Sequence, residues 1–142
     1  MKKNTKGFTL IELLAVIVVL AVIALIATPI VLNLVKEAKV GAARESVTSY
    51  MKAVENTVLK EMVNGKEVVF CTEYTISGTT LTGKGTECKT PLTVDVSGKG
   101  PTAGTVTMNA DGSDIKATGV KVDTYGPFTY TQSTGTSDGT KS

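Results

Sequence analysis

The first third of the chain is dominated by one uninterrupted apolar segment. From Leu13 to Leu32 no residue is charged, and only Thr28 and Pro29 interrupt the aliphatic side chains. Because the segment is apolar on every side, it predicts a helix that lies in lipid or in a protein core. At about 1.5 Å per residue it spans about 30 Å, the hydrocarbon thickness of a bilayer. The pattern therefore predicts a membrane-spanning helix over residues 13–32.

The apolar segment continues into an amphipathic stretch. Residues 8 to about 64 have a helical composition, and Asn64-Gly65 supplies a helix stop. One stripe of side chains recurs every three or four positions, which predicts a helix face packed on a sheet, with a free coiled-coil seam as the alternative. The stripe consists of Val40, Ala43, Val47, Met51, Val54, Val58 and Met62.

From residue 65 onward the pattern changes to β structure. Twelve of the 14 glycines lie there, and β-branched residues alternate with polar ones. After a short apolar run at 68–70, we predict a meander of four antiparallel strands, with a hairpin-type turn at Asp111-Gly112. The alternating stretches are 92–96, 104–108, 115–117 with 120–122, and 128–130. Residues 131–142, rich in Thr, Ser and Gly, are predicted to be loose.

Charge and composition exclude several functions. The formal charge is +2, from 15 basic and 13 acidic residues, but Lys2, Lys3 and Lys6 lie in the first seven residues; without them 12 basic residues face 13 acidic ones. The pI of about 8.5 is therefore no argument for nucleic-acid binding, which we do not predict. The chain has no His, the commonest general base and metal ligand. We predict neither an enzyme nor a cofactor or metal site, and we assign Asp111 and Asp114 to a hairpin turn rather than to a fragment of a Ca²⁺ loop.

The N-terminus carries the most specific motif. Basic residues 1–7 end in Gly7, and Phe-Thr-Leu-Ile-Glu follows directly at residues 8–12, before the apolar segment. A secretory signal peptide is disfavoured, because the apolar run is too long and no A-x-A-like cleavage site follows it. Residues 6–12, Lys-Gly-Phe-Thr-Leu-Ile-Glu, closely resemble the processing motif of type IV prepilins and the related pseudopilins. The resemblance covers about the first 60 residues.

The resemblance implies a defined processing pathway. A membrane aspartyl peptidase, the prepilin peptidase, would cut between Gly7 and Phe8 on the cytoplasmic side and methylate the new N-terminus at Phe8. Glu12 would then be the fifth residue of the mature chain, which the family keeps acidic. Pro29 would be the twenty-second, where many pilins also carry Pro. Ala21 is a departure, since many pilins have Gly at that position, and it bears on whether the helix melts between residues 21 and 29 on assembly.

Physical chemistry gives Glu12 and Pro29 specific roles. A carboxylate at the start of a membrane helix costs several kcal/mol unless it is paired. In staggered parallel helices Glu12 of one subunit can neutralise the amine of Phe8 in a neighbour and set the register. The alternative is that Glu12 lies at headgroup level, favoured by the helix N-terminus. Pro29 lacks an amide hydrogen and so kinks or locally opens the helix, either as a tolerated membrane proline or as a weak point that extends on assembly.

Topology and cysteine chemistry follow from the resemblance. Basic residues flank both ends of the span, so the positive-inside count is a tie, and the prepilin resemblance alone places the N-terminus in the cytoplasm and the β domain outside. In that oxidising compartment Cys71 and Cys88, which enclose 16 residues, are expected to form a disulfide worth about 3 kcal/mol. Free thiols are one alternative, and a Zn site with too few ligands is another.

Together these features predict an α+β, pilin-like roll. A leader (residues 1–7) precedes a long helix (8–64) that packs on a four-stranded antiparallel sheet in an extracellular β-rich domain (65–142). The expected function is that of a structural subunit, the major pilin, of a type IV pilus used for adhesion or motility. The short lysine-rich leader and the Ile/Val-rich span are compatible with a Gram-positive source. Its partners would be other copies, the prepilin peptidase, the assembly platform with its ATPase motor, and the membrane before assembly. The alternatives are a pseudopilin of a type II secretion or competence machine, and a single-span anchored binding domain that never assembles.

Overall fold

The computed structural model describes residues 7–64 and 67–138. The chain divides into two compact units, Met1–Lys39 and Val40–Ser142. One helix, α1 (Leu10–Val63), precedes the strands. The described strands are β1 (Glu73–Ser77), β2 (Thr80–Gly83), β3 (Leu92–Thr93), β4 (Ala103–Thr107), β5 (Lys116–Val122), β6 (Tyr125–Thr131) and β7 (Gly135–Asp138). The α+β class is confirmed, but the expected count of four strands is wrong, because the sheet has seven.

The amphipathic part of α1 packs as its periodicity predicts. Its buried side chains join those of the strands in one hydrophobic core, so the stripe covers the sheet and is not a free coiled-coil seam. The buried helix residues are Ala43, Val47, Tyr50, Met51, Val54 and Val58. Tyr50 was not expected among them, and Met62 at the end of the predicted stripe is 40% exposed. Gly65, part of the predicted stop signal, lies outside the described residues, and α1 ends at Val63.

The sheet is a single antiparallel layer with the strand order β3-β2-β1-β4-β5-β6-β7. Strands β1 to β3 form a meander, but the chain then returns along residues 94–102, and β4 pairs with β1, Thr105 opposite Thr75. This 3-2-1-4 arrangement is a Greek key, so the predicted simple meander is wrong. Strands β4 to β7 continue as consecutive antiparallel neighbours.

Three of the seven strands, β1, β2 and β7, are absent from the sequence-based prediction. Strands β1 and β2 lie between the two cysteines, where only Tyr74, Ile76 and Leu81 point into the core, too few apolar positions to produce a visible alternation. Strand β7 lies in the segment predicted to be loose. It pairs with β6 through its backbone, and the hydroxyls of Thr48 and Thr136 share a hydrogen bond of 2.7 Å. A strand held by polar contacts of this kind has no hydrophobic pattern in its sequence. Residues 139–142 lie outside the described part of the chain.

Two predicted stretches are shorter in the structure than their apolar patterns indicated. The run at 68–70 forms no strand, and Phe70 makes only an isolated bridge with Lys89. Only Leu92 and Thr93 of the stretch 92–96 are strand residues, although Val94 is buried beyond them. Apolar side chains here fill the core from irregular backbone, which alternation alone cannot distinguish from a strand.

Two tyrosines of the second unit, Tyr50 on α1 and Tyr130 on β6, are buried in its core. The Tyr130 hydroxyl donates a hydrogen bond of 2.7 Å to Glu55 Oε1. The Tyr50 hydroxyl is buried and has no hydrogen-bond partner among the described residues. Burial raises the pKa of Tyr50 to about 12, and burial together with the hydrogen bond and the charge of Glu55 raises the pKa of Tyr130 to about 12.

We expect these tyrosines to make the fold sensitive to alkali. Because the pKa of each is about 12 in the folded protein and 10.0 in an unfolded chain, the unfolded state releases their protons first. Their contribution to the free energy of unfolding is therefore complete below about pH 10 and is lost as the pH rises toward 12. Urea unfolding of the detergent-solubilised chain between pH 8 and 12 measures this loss, and a Tyr50→Phe/Tyr130→Phe variant should show a shallower decline. An unchanged slope in that variant would contradict the assignment.

Candidate processing and assembly site

The predicted cleavage site lies outside the helix. Gly7 and Phe8 precede α1 and belong to no regular element. The Phe8 side chain is 88% exposed, and a Cβ added to Gly7 would meet nothing within 4 Å. Exposed, non-helical backbone is the form in which a chain is most readily cut. Residues 1–6 of the predicted leader lie outside the described residues.

The helix begins with a capping box formed by Thr9 and Glu12. The backbone N–H and the hydroxyl of Thr9 each donate a 2.8 Å hydrogen bond to Glu12 Oε2. The Glu12 N–H in turn points at Thr9 Oγ1, at 3.4 Å. This reciprocal arrangement satisfies amide groups that have no partner inside the first turn of a helix. The T-x-x-E spacing is a capping signature that the sequence-based prediction missed.

The capping box defines what Glu12 does within one chain. In the uncleaved chain the Phe8 nitrogen is a peptide amide, so the expected pairing of Glu12 with a Phe8 amine is not formed. Both hydrogen bonds from Thr9 reach the same carboxylate oxygen, Oε2. The other oxygen, Oε1, accepts no hydrogen bond from a described residue. The assembly salt bridge stays a prediction.

The apolar segment has the exposure of a helix without a partner. From Phe8 to Lys39 every side chain except Ala27 is exposed. By length and composition α1 can cross a membrane, and none of its most apolar 18-residue window is buried within the chain. An apolar core helix of a soluble domain would be mostly buried. The exposed aliphatic surface therefore needs lipid or other protein to cover it.

Pro29 does not interrupt the helix in the single chain. The assigned α1 is continuous from Leu10 to Val63 and contains Pro29. The Thr28 hydroxyl donates a 2.6 Å hydrogen bond to the carbonyl of Ala24. Pro29 itself has no N–H to donate to the carbonyl of Leu25. Opening of the helix at this point during assembly stays a prediction.

Cys71 and Cys88 are joined by a disulfide, with their Cα atoms 4.9 Å apart. The closed loop contains the whole β1–β2 hairpin. A residue that the sequence-based prediction missed holds the base of this loop: the Tyr74 hydroxyl accepts a 3.0 Å hydrogen bond from the Cys71 N–H and donates one of 2.7 Å to the Lys89 carbonyl. A Cβ on Gly83 would collide with the Cys71 sulfur, so the hairpin packs directly against the bond.

Asp111 and Asp114 lie in a turn between β4 and β5. Asp111 accepts hydrogen bonds from the N–H and the hydroxyl of Ser113, at 2.9 and 2.6 Å, and these bonds lower the pKa of Asp111. Asp114 forms an exposed 2.6 Å ion pair with Lys116. Among residues 7–64 and 67–138 no group of three or more His, Cys, Asp or Glu side chains is placed to hold a metal ion.

Comparison with known proteins bears on the N-terminal segment. Residues 2–28 match the family model described as the prokaryotic N-terminal methylation motif. The match confirms the resemblance to type IV prepilins, and the apolar helix, which begins within the matched residues, fits a membrane-anchored precursor. The N-terminal segment is therefore similar to that of type IV pilins and pseudopilins. Searches among curated proteins and among solved structures returned no match.

Proposed function

We propose that this chain is a structural subunit, the major pilin, of a type IV pilus. A prepilin peptidase removes residues 1–7 and methylates Phe8, and the mature chain polymerises through its apolar helix into a surface filament. The observation that carries the proposal is the methylation motif at residues 2–28 together with the helix that begins within it, whose apolar surface is left uncovered by the described residues. In this role the chain is a substrate of enzymes and has no catalysis of its own.

The exposed helix supports storage in a membrane followed by polymerisation. Residues 13–32 can lie in the bilayer as a single span before assembly and exchange lipid for neighbouring helices in the filament. Burial of 20 apolar residues in lipid makes spontaneous exit negligible, so an assembly platform with an ATPase motor must extract the subunit. A permanently anchored domain needs no such motor. Dependence on an assembly motor therefore distinguishes a pilus subunit from an anchored domain.

The geometry at Glu12 is compatible with both storage and assembly. Before cleavage, the capping box satisfies the carboxylate through Thr9. Cleavage would create a charged amine at Phe8, and Oε1 of a neighbouring Glu12 can accept it without breaking the bonds that Thr9 makes to Oε2. A buried pair of this kind specifies register more than it adds stability. The proposed contact thus uses a carboxylate that the helix start already holds in position.

The disulfide supports an extracellular position for the second unit. Disulfides persist in oxidising compartments and are rare in the cytosol. A bond between Cys71 and Cys88 therefore favours the β-rich residues outside the cell and the N-terminus inside, the orientation in which the peptidase meets Gly7 and Phe8 from the cytoplasmic side.

Mass spectrometry of the sheared cell-surface fraction tests the proposal. We expect long fibres made of a chain that starts at Phe8 and carries one additional methyl group. A chain that still starts at Met1 and occurs only in membranes would contradict processing and assembly together, and would leave a single-span anchored domain.

The same preparation separates a major pilin from a pseudopilin. Abundance in long sheared fibres is the expected result for a major pilin. If deletion of the gene abolished protein export or DNA uptake while sheared fibres lacked the chain, the pseudopilin of a secretion or competence machine would replace it.

A further inference from the structure

A hollow beside the disulfide has no part in the proposed assembly. It measures about 390 Å³ and is open to solvent. Both cysteines line it, together with the segment 84–87, which runs from the end of β2 toward Cys88. The remaining lining residues are Val69, Phe70, Thr72 and Ala110. The hollow therefore gives solvent access to the surroundings of the sulfur pair.

The two cysteines differ in how far the fold covers them. Cys71 is 2% exposed, whereas Cys88 is only partly buried. Gly83 packs so closely against the Cys71 sulfur that a Cβ at that position would collide with it. Because the β1–β2 hairpin covers Cys71 in this way, Cys88 is the cysteine that the folded chain leaves within reach of a reactant in solvent.

Gly85 helps to keep Cys88 uncovered. It lines the hollow, and a Cβ built on it would lie 2.9 Å from Cys88 Sγ, closer than real side chains pack. The φ of Gly85, 149°, is also one that residues with a side chain rarely adopt. Glycine at this position therefore leaves the Cys88 sulfur without a neighbouring side chain pressed against it.

We infer that Cys88 is the sulfur through which this pair exchanges with an external thiol or disulfide, and that Cys71 is the resolving sulfur. Thiol–disulfide exchange passes through a mixed disulfide, and its rate depends on which sulfur is attacked and on access to it. The hollow gives access to Cys88, and the core withholds Cys71. The reactant is either a small thiol of the glutathione kind or an enzyme with a reactive cysteine pair.

The exchange balances in both directions. In closure, the Cys88 thiolate attacks the reactant's disulfide, forms the mixed disulfide and releases one reactant thiolate. The Cys71 thiolate then attacks Cys88 Sγ and releases the second reactant thiolate, so the chain gives two electrons and two protons to the reactant. In opening, a reactant thiolate attacks Cys88 Sγ from the hollow, and Cys71 leaves as a thiolate that takes a proton from water.

Limited reduction of the folded, detergent-solubilised chain with glutathione tests the inference. Excess N-ethylmaleimide stops the reaction within its first minutes and blocks every free thiol, and peptide mapping by mass spectrometry then locates the two groups. We expect glutathione on Cys88 and maleimide on Cys71, at least tenfold more often than the reverse. In urea that unfolds the chain the preference should disappear, because both sulfurs are then exposed.

A parallel reaction distinguishes the two kinds of reactant. Its reductant is a thioredoxin that keeps only the first cysteine of its pair, so it cannot complete the reduction and retains the mixed disulfide. A mixed disulfide of thioredoxin with Cys88 supports the inference and assigns the site to an enzyme as well as to small thiols. Reaction of Cys88 with glutathione alone also supports it and assigns the site to small thiols.

Two matched variants repeat the measurement without the bond. Cys71→Ala leaves Cys88 as the lone thiol, and Cys88→Ala leaves Cys71. With oxidised glutathione we expect the Cys71→Ala chain to form its mixed disulfide at least tenfold faster than the Cys88→Ala chain. Equal rates in these variants would overturn the inference, because Cys71 would then be as accessible as Cys88.

The wild-type chain can overturn the inference in two further ways. One is glutathione found equally on both cysteines or chiefly on Cys71. The other is a bond that resists both reductants until the chain unfolds, since neither sulfur would then be within reach in the fold. These outcomes do not depend on processing at Gly7–Phe8 or on polymerisation, so the proposed function stands or fails separately.

Discussion

Replacement of Glu12 by Gln should leave processing at Gly7–Phe8 intact and lower the yield of sheared filaments at least tenfold. Gln at this position still accepts the hydrogen bonds from Thr9, because Glu and Gln both complete a capping box. What the substitution removes is the charge that would neutralise the Phe8 amine of a neighbouring subunit. An unpaired buried ammonium group costs several kcal/mol, and a tenfold change in an equilibrium corresponds to only about 1.4 kcal/mol. Immunoblots of sheared and membrane fractions measure the yield.

Two further variants separate the charge of Glu12 from its capping role. Glu12→Ala removes both and should be at least as defective as Glu12→Gln. Glu37→Gln removes an exposed carboxylate of the same helix outside the apolar segment and should assemble like the wild type. If Glu12→Gln also assembled normally while Glu12→Ala did not, the carboxylate would serve only to cap the helix, and the intersubunit pairing would be wrong.

The parts of the fold that could be predicted are those with a regular apolar pattern in the sequence, namely the two halves of helix α1. The stripe that includes Val47, Val54 and Val58 repeats every three or four residues, and the structure buries those side chains. The span needs no tertiary information at all, since an apolar run of this length is itself the signal. Helix α1 was therefore predictable to within two residues at each end.

The sheet was harder because its strands depend on partners that a local pattern does not contain. Strand β7 is Gly-Thr-Ser-Asp and is held by backbone pairing to β6, so it has no apolar signature. The pairing of β4 with β1, which turns the meander into a Greek key, joins residues about 30 positions apart. Neither composition nor alternation specifies which strands become neighbours.

The candidate site also has a part that the sequence indicates and a part that only the fold brings together. The predicted processing and assembly residues lie within a few positions of one another, so a contiguous motif in the sequence was enough to indicate Gly7, Phe8 and Glu12. The Tyr74 hydroxyl, in contrast, bonds to the carbonyl of Lys89, 15 positions later in the chain. No motif in the sequence marks Tyr74, so its place at the base of the disulfide loop becomes visible only in the folded chain.

Removal of the disulfide should cost the β-rich unit a substantial part of its stability. A Cys71→Ala/Cys88→Ala chain no longer closes the loop of sequence separation 17 that contains the β1–β2 hairpin. The chain-entropy estimate for such a loop is about 3 kcal/mol. Since small domains are stable by only about 5–15 kcal/mol, this loss is a substantial fraction of the total. Urea unfolding of the detergent-solubilised chain gives the difference directly.

The structure also indicates where the loss should be felt. The hydrogen bonds of the Tyr74 hydroxyl to Cys71 and Lys89 bridge the two ends of the loop, so opening the loop should weaken this link at its base. We therefore expect hydrogen exchange to accelerate in β1 and β2 more than in β5 and β6, which pair with each other outside the loop. Reduction of the wild-type chain should reproduce the effect, and the same reductant should leave the double-Ala chain unchanged. Native protein in which both thiols are fully alkylated without a reductant would contradict the bond itself, whereas equal acceleration in all strands would contradict its local role.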